Sequence, residues 1–135
     1  MTDAPRTKPD APALPNYDDA RTFAVLVARM LADDKLEDVV IIDLRGLTGV
    51  ADFFVVGTGT AERQMRASLE HLRLHAKTIN RRPLSIADSE SGVWLLADFV
   101  DVVVHLFGRD QRAYYDLDGL WGDAPRIPWD TAAAD

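Results

Sequence analysis

The chain has 135 residues, of which 47% are hydrophobic and 27% charged, enough for one domain with a hydrophobic core. Fifteen Lys and Arg against 22 Asp and Glu give a net charge of −7, which disfavours a free-standing nucleic-acid binder and favours encounter with a basic protein. The absence of Cys excludes disulfides, thiolate zinc sites and a Cys nucleophile, and no apolar run reaches the roughly 20 residues of a membrane span.

The two ends of the chain differ from the middle. Residues 1–15 hold four prolines and no apolar stretch, so we expect a disordered leader without a secretory signal. We place a single domain at 16–127 and a flexible tail at 128–135. With no signal and no membrane span, we expect a cytoplasmic protein.

The domain begins with an amphipathic helix and two strands. Between Asp18 and Asp34, apolar residues recur at helical spacing: Phe23, Leu26, Val27, Met30 and Leu31. Residues 38–44 predict a strand whose consecutive aliphatics indicate burial on both faces, as in a central strand. Residues 52–57 predict the next strand.

A glycine-rich turn, Gly57-Thr58-Gly59-Thr60, leads into a second helix at about 61–79. We interpret Gly59 and Thr60 as structural, with Thr60 as the N-cap. A strand, turn and helix in this order can bind phosphate, but no Lys follows the glycines and Glu62 would repel an anion. His71 and His75 have a spacing that can support zinc, although no third ligand is evident. We therefore expect no metal and no cofactor.

Residues 83–87 predict a weak strand, and 93–107 a β-hairpin with two different faces. With Phe99 and Val100 at the bend, Asp98 lies opposite Asp101, 96 opposite 103, and 94 opposite 105. One face is aliphatic: Val93, Leu95, Ala97, Val102, Val104 and Leu106. The other is mixed and suits a binding surface or a reactive site: Trp94, Leu96, Asp98, Asp101, Val103 and His105.

A short helix at 110–115 follows, with Leu117, Leu120 and Trp121 able to pack it onto the sheet. The elements run α-β-β-α-β-β-β-α. This order predicts an α/β fold, a mixed β-sheet flanked by helices.

Six blocks in one order resemble the ribosomal silencing factor family, also called RsfS or Iojap. They are residues 43–47 (DLRGL), 51–55 (ADFFV), 58–64 (TGTAERQ), 92–98 (GVWLLAD), 101–105 (DVVVH), and 115–117 (YDL) with Leu120-Trp121. The similarity spans about Phe23 to Pro125. It implies a nucleotidyltransferase-like fold without established catalysis. It also implies binding to ribosomal protein L14 (uL14), which blocks joining of the small ribosomal subunit and represses translation. Some members assist large-subunit biogenesis.

The resemblance also implies a partner-binding surface. The family tryptophan at the partner interface corresponds to Trp94, and the family tyrosine to Tyr115. We expect Leu96, Asp98 and Asp101 to join them and His105 to orient Trp94. One departure concerns the bend. The family commonly has Asp-x-Gly-Asp where this chain has Asp98-Phe99-Val100-Asp101, and Val is poorly suited to the positive φ of a two-residue loop.

Several alternatives stay open. Trp94 can be a core residue, and Asp98 and Asp101 can bond turn amides or hold Mg²⁺ in a small nucleotidyltransferase-like enzyme. The Trp94 surface can instead pair two copies of the chain, as a homodimer when free and a monomer when bound. Five arginines around the second helix can touch ribosomal RNA peripherally: Arg63, Arg66, Arg73, Arg81 and Arg82. Our leading hypothesis is a non-enzymatic protein that docks on uL14.

Overall fold

The structure is a computed structural model that describes residues 15–89 and 93–130. The helices are α1 (Ala20–Asp33), α2 (Glu62–Thr78), α3 (Arg109–Tyr115) and α4 (Leu117–Leu120). The strands are β1 (Glu37–Asp43), β2 (Phe53–Gly59), β3 (Ser85–Asp88), β4 (Trp94–Asp98) and β5 (Val102–Gly108). The predicted order is confirmed, with α4 as an additional helical turn. None of the described helices is long and apolar enough to cross a membrane. Of the predicted leader and tail, only residues 15 and 128–130 are described.

The described strands form one sheet in the order β1-β2-β5-β4-β3. Strands β2 and β5 are parallel, and the other neighbours are antiparallel, which confirms a mixed sheet. Helices α1 and α2 cover one face and α3 and α4 lie on the other, so the fold is an α/β sandwich.

Strand β1 lies at the edge of the sheet, so the predicted central position was wrong. The predicted burial on both faces is correct for Ile41 and Ile42, which enter opposite core clusters. A run of aliphatics does not distinguish a central strand from an edge strand whose open side is covered later in the chain.

The C-terminal segment 125–129 supplies that cover. The amide of Asp43 donates to the carbonyl of Pro125 (2.8 Å), and the amide of Ile127 donates to the carbonyl of Ile41 (3.0 Å). The indole N–H of Trp129 donates to the carbonyl of Val39 (2.9 Å). Trp129, which the sequence assigns to a flexible tail, is therefore in contact with the sheet, and it packs against the main core.

Helix α1 forms where the periodicity predicts it. The carboxylate of Asp19 accepts the amide of Thr22 (2.9 Å) and caps the first turn. Its buried face lies on the sheet: Phe23, Ala24, Val27, Ala28 and Leu31. This face and the buried side of α2 form the larger core cluster.

Helix α2 begins at Glu62, one residue later than an N-cap at Thr60 would place it. Its N-cap is Ala61, which has no capping side chain, so the prediction of Thr60 as N-cap was wrong. Instead the amide of Thr60 donates to Oε1 of Gln64 (2.8 Å), a side chain from the first turn that reaches back. A Cβ at Gly59 would lie 2.1 Å from Cγ of Met65, so glycine is needed there for Met65 to pack.

The hairpin has a different register from the predicted one. Asp98 is paired with Val103, Leu96 with His105, and Trp94 with Phe107, so each partner lies two positions further along than expected. A shift of two residues keeps every side chain on its face. The predicted faces therefore survive: Leu95, Ala97, Val102, Val104 and Leu106 enter the α1/α2 core. Leu96 and Val103 lie on the other side with Trp94.

The bend accounts for the shift. Its central residues are Val100 and Asp101, flanked by a hydrogen bond from the amide of Phe99 to the carbonyl of Val102 (2.9 Å). Val100 has φ +79°, and the amide of Asp101 donates back to the carbonyl of Phe99 (3.1 Å), which is the hydrogen-bond pattern of a γ-turn. Val100 thus has a positive φ, which glycine adopts most readily, at the position where the resemblance described above leads us to expect glycine.

Candidate functional site

Trp94 lies half-buried on the sheet face opposite α1 and α2, where β4 passes α3. Its ring stacks on Phe107, with centroids 5.0 Å apart, and meets Tyr115 of α3 at 4.6 Å. Its indole N–H donates to Nδ1 of His105, at 3.3 Å. Trp94 is therefore held on one side by rings of β5 and α3 while the other side reaches the surface.

His105 is the buried support of Trp94. It is 5% exposed, and its ring lies 4.6 Å from that of Phe54 and parallel to that of Phe107. Burial lowers its pKa to about 4, against a smaller opposing effect of the Asp98 carboxylate. The imidazole is therefore neutral at pH 7, and because Nδ1 accepts, the proton is assigned to Nε2.

The Nε2 atom of His105 has no hydrogen-bond partner within the part of the chain that the structure describes. A buried donor without a partner costs about 1–3 kcal/mol. An aliphatic residue at this position would avoid the cost but could not accept the indole proton of Trp94. The arrangement thus favours a defined orientation of Trp94 over maximal stability.

Around Trp94 lies a surface that we call the Trp94 face: Trp94, Leu96, Asp98, Tyr114 and Tyr115. Trp94, Leu96 and Asp98 come from β4 and are half-exposed. Tyr115 is 45% exposed and Tyr114 is 81% exposed. The structure thus brings together four of the five residues predicted from sequence for partner binding: Trp94, Leu96, Asp98 and Tyr115.

Asp101 is the exception, and its predicted place on this face was wrong. It occupies the bend, where its carboxylate pairs with Arg81 at 2.7 Å and 2.9 Å. Arg81 also donates to the carbonyls of Tyr17 and Asp18 and lies over the ring of Phe23, beside α1 on the other side of the sheet. The corrected register explains this, because Asp101 no longer belongs to a strand.

Asp98 combines exposure with a structural role. Its Oδ1 accepts the amide of Val100 at 2.7 Å, which stabilises the bend as the sequence alternative proposed. Its half-exposed carboxylate also borders the face next to Leu96.

Two clefts flank the indole of Trp94. One, of about 410 Å³, lies towards α3 and is lined by Trp94, Asp110, Gln111, Tyr114 and Tyr115, with Ser89 and Val93. The other, of about 250 Å³, lies towards β3 and is lined by Trp94, Leu96, Ala87, Asp88 and Ser89. Trp94 is thus a ridge between two depressions, a shape suited to protein docking.

Helix α3 presents the tyrosines although it has no buried residue of its own. Arg112 fixes it. Its guanidinium pairs with Asp118 at 2.8 Å and 2.9 Å, and donates to Oγ1 of Thr58 and to the carbonyl of Asp38, both at 2.9 Å. The arginine itself is largely covered, with 13% of its side chain exposed. Arg112 therefore attaches the helix to both β1 and β2.

Sequence reasoning missed Tyr114 and Arg112. The i, i+4 spacing of Asp110 and Tyr114 could have indicated a shared helix face. Arg112 left no comparable signal, since its partners Thr58 and Asp38 are 54 and 74 residues away.

Side chains that the sequence offered for phosphate or metal binding have partners within the protein. Glu62, in the first turn of α2, pairs with Arg66 at 2.8 Å. Its negative charge would repel a phosphate or other anion at the N-terminus of this helix. His71 contacts the carboxylate of Asp34 at 3.1 Å. Residues 15–89 and 93–130 contain no group of three or more His, Asp or Glu side chains placed to hold a metal ion.

Most of the arginines in and just after α2 form ion pairs within the protein. Arg66 bonds Glu62 and Asp88, Arg73 bonds Glu70, and Arg81 bonds Asp101. Of the five arginines considered for RNA contact, Arg63 and Arg82 take part in none of the ion pairs formed among the described residues.

Comparison with known proteins gives a consistent result. Residues 17–135 match the family model described as ribosomal silencing factor during starvation. The chain is 38% identical over 102 residues to the ribosomal silencing factor RsfS of Halalkalibacterium halodurans, covering 76% of this chain and 87% of that protein. It is 33% identical over 128 residues to the chloroplastic protein Iojap of Zea mays, covering 91% of this chain and 55% of that longer protein.

A crystal structure of a protein from Chromobacterium violaceum has the same fold, with a TM-score of 0.73 and 32% identity, covering 77% of this chain and 87% of that one. The match to the family model extends over the whole described sandwich and includes Trp94, His105 and Tyr115. The chain therefore belongs to the ribosomal silencing factor family, RsfS, whose name denotes a regulatory role at the ribosome.

Proposed function

We propose that this protein binds ribosomal protein uL14 on the large ribosomal subunit through the Trp94 face. The bound protein then occupies the surface on which the small subunit would join, and translation is repressed by steric exclusion. The same dock would serve a role in large-subunit biogenesis. The single observation that carries the proposal is Trp94 itself, which is half-exposed within the family-matched part of the chain and held by His105, Phe107 and Tyr115.

The aromatic composition of the face supports this. Trp and Tyr are enriched among interface residues that dominate affinity, and truncation of such a residue commonly costs about 2–4 kcal/mol. Trp94 and Tyr115 form one packed pair, so burial beneath a partner would cost little further side-chain entropy.

The charge of the face supports a basic partner. Asp98 and Asp110 border it, and the chain as a whole carries −7. Carboxylates at an interface rim increase the association rate and select against acidic partners more than they raise affinity. Peripheral contact with ribosomal RNA would fall to Arg63 and Arg82, outside this face.

The proposed mechanism contains no chemical step. Two bodies cannot occupy one intersubunit surface, so occupancy alone determines repression. His105 acts as a positioning residue, because its Nδ1 fixes the indole of Trp94 without reaching the partner itself.

The test is co-sedimentation with large subunits on a sucrose gradient, followed by addition of small subunits. The wild-type protein is expected to migrate with the large subunit and reduce the joined-ribosome peak. Trp94→Ala combined with Asp98→Ala should abolish both effects. Leu74→Ala is the matched control, since Leu74 is an apolar residue on α2 with 50% exposure. Unchanged binding by the double variant would exclude this surface.

A homodimer through the Trp94 face would hide the dock in the free protein. Light scattering across a dilution series measures this directly. A dimer that dissociates on dilution, and that Trp94→Ala converts to monomer, would indicate self-association as an off-state. A dimer that persists on the large subunit would contradict the proposed docking geometry.

A further inference from the structure

The cleft between Trp94 and α3 has the features of a cation site. We propose that it binds the cationic head of a lysine or arginine side chain of the docking partner, held by the faces of Trp94, Tyr114 and Tyr115 and by the carboxylate of Asp110. This inference rests on the proposed function, since it assigns a specificity site within the Trp94 face.

The aromatic rings that line the cleft differ in the orientation of their planes. Tyr114 stands perpendicular to Tyr115, with centroids 5.1 Å apart and planes at 88°. Trp94 is tilted against Tyr115 by 42° at 4.6 Å. Each ring face carries negative electrostatic potential, and Trp is the strongest of the aromatic side chains in attracting cations. Three rings around one opening are a common arrangement for binding an organic cation.

The charge in the cleft is negative, and the described part of the chain supplies no counter-ion for it. Asp110 is exposed and forms no ion pair with any residue of 15–89 or 93–130. It lies four residues before Tyr114 on α3, so both occupy one side of the helix. Among the described residues, none of those that line the cleft is basic.

The two arginines of α3 are directed elsewhere, which leaves the site open to an external cation. Arg109 pairs with Glu37 at 2.9 Å, and Arg112 pairs with Asp118 at 2.8 Å. An apolar partner side chain would fit the cleft less well, because it would remove water from Asp110 without supplying a hydrogen-bond donor.

The experiment separates a cation from an apolar occupant by two substitutions at one residue. Tyr114→Phe keeps an aromatic face, whereas Tyr114→Leu keeps an apolar side chain without one. Because Tyr114 is 81% exposed, neither change should disturb folding. Affinity for purified uL14 is measured by titration calorimetry. We expect Phe to bind within about twofold of wild type and Leu to bind about three- to tenfold more weakly.

Asp110→Asn should weaken binding by a similar factor and reduce its dependence on salt, because an ionic contact is screened. Asp123→Asn is the control, since Asp123 is exposed and unpaired in the described structure but follows α4, outside the cleft. Equal affinities for Tyr114→Phe and Tyr114→Leu, or equal effects at positions 110 and 123, would overturn the cation site.

The same titration with Trp94→Ala distinguishes failure of the cation site from failure of the proposed function. If Trp94→Ala abolishes binding but the two Tyr114 variants bind equally well, the Trp94 face is the uL14-binding surface and the cation site is rejected. No loss with Trp94→Ala would reject the dock itself and, with it, the cation site.

Discussion

The guanidinium of Arg81 closes a two-point ion pair with the carboxylate of Asp101, which joins the end of α2 to the hairpin bend. Arg81 is 11% exposed and also lies 4.4 Å from the ring centroid of Phe23 in α1. One side chain thus connects three segments that are distant in sequence, on the side of the sheet away from the Trp94 face.

Loss of this ion pair should lower stability without affecting docking. Arg81→Met leaves Asp101 and two carbonyls without their donor, so we expect the free energy of unfolding to fall by about 2–4 kcal/mol in urea denaturation. Affinity of the folded variant for the large subunit should stay near the wild-type value. If a fully folded Asp101→Asn variant loses much of its affinity, Asp101 contacts the partner and the assignment to a structural role is wrong.

The hairpin bend offers a stabilising substitution. Val100 is 61% exposed and has φ +79°, a conformation that costs a side chain with a Cβ about 1–2 kcal/mol. Val100→Gly should therefore raise the free energy of unfolding by about 1 kcal/mol after the greater entropy of the unfolded chain is included. Val50→Gly is the control: Val50 is 69% exposed but has no positive φ, so glycine there should destabilise. A loss of stability in both Val100→Gly and Val50→Gly would show that the positive φ of Val100 does not strain the bend.

His105 should make stability depend on pH. Its pKa is about 4 in the folded protein and near 6.5 when unfolded. The unfolded state therefore binds more protons between these values, and stability falls as the pH drops from about 6.5 towards 4. The full effect of one such group is about 3 kcal/mol.

The measurement compares urea denaturation at pH 7.5 and 4.5 for wild type and His105→Gln. The wild type should lose about 2–3 kcal/mol more than the variant over this interval. His71→Gln serves as the control, because the His71 side chain is 58% exposed. Identical pH profiles for wild type and His105→Gln would show that His105 is not buried as a neutral imidazole.

Arg112 should affect docking through the position of the two tyrosines of α3. Arg112→Met releases α3 from Asp118 and Thr58, and we expect affinity for uL14 to fall about threefold or more as Tyr114 and Tyr115 lose their positions beside Trp94. In a background in which both tyrosines are replaced by Ala, the same change should have a much smaller effect. Arg109→Met is the control on the same helix, because the Arg109 side chain is 67% exposed. Equal losses in both backgrounds would contradict an action through the two tyrosines.

Local patterns in the sequence predicted much of the fold. The helical periodicity of α1 and α2 and the alternation along β4 and β5 specify which side chains face a core, and a two-residue error in register did not change that. The prediction failed where a local feature is ambiguous. Thr60 is a residue type typical of N-caps, yet the N-cap is Ala61 and the amide of Thr60 donates to the side chain of Gln64. The run of aliphatic residues in β1 is compatible with an edge strand as well as with a central one.

For this protein, the sequence by itself determined the family, the element order and the two faces of the hairpin, because these follow from residue identity and spacing along one segment. Tertiary structure decided that Asp101 leaves the Trp94 face for Arg81, that Trp129 covers the β1 edge, and that Arg112 holds the tyrosines next to Trp94. These outcomes depend on contacts between residues that can be far apart in the chain, and such pairings are fixed only when the whole core packs.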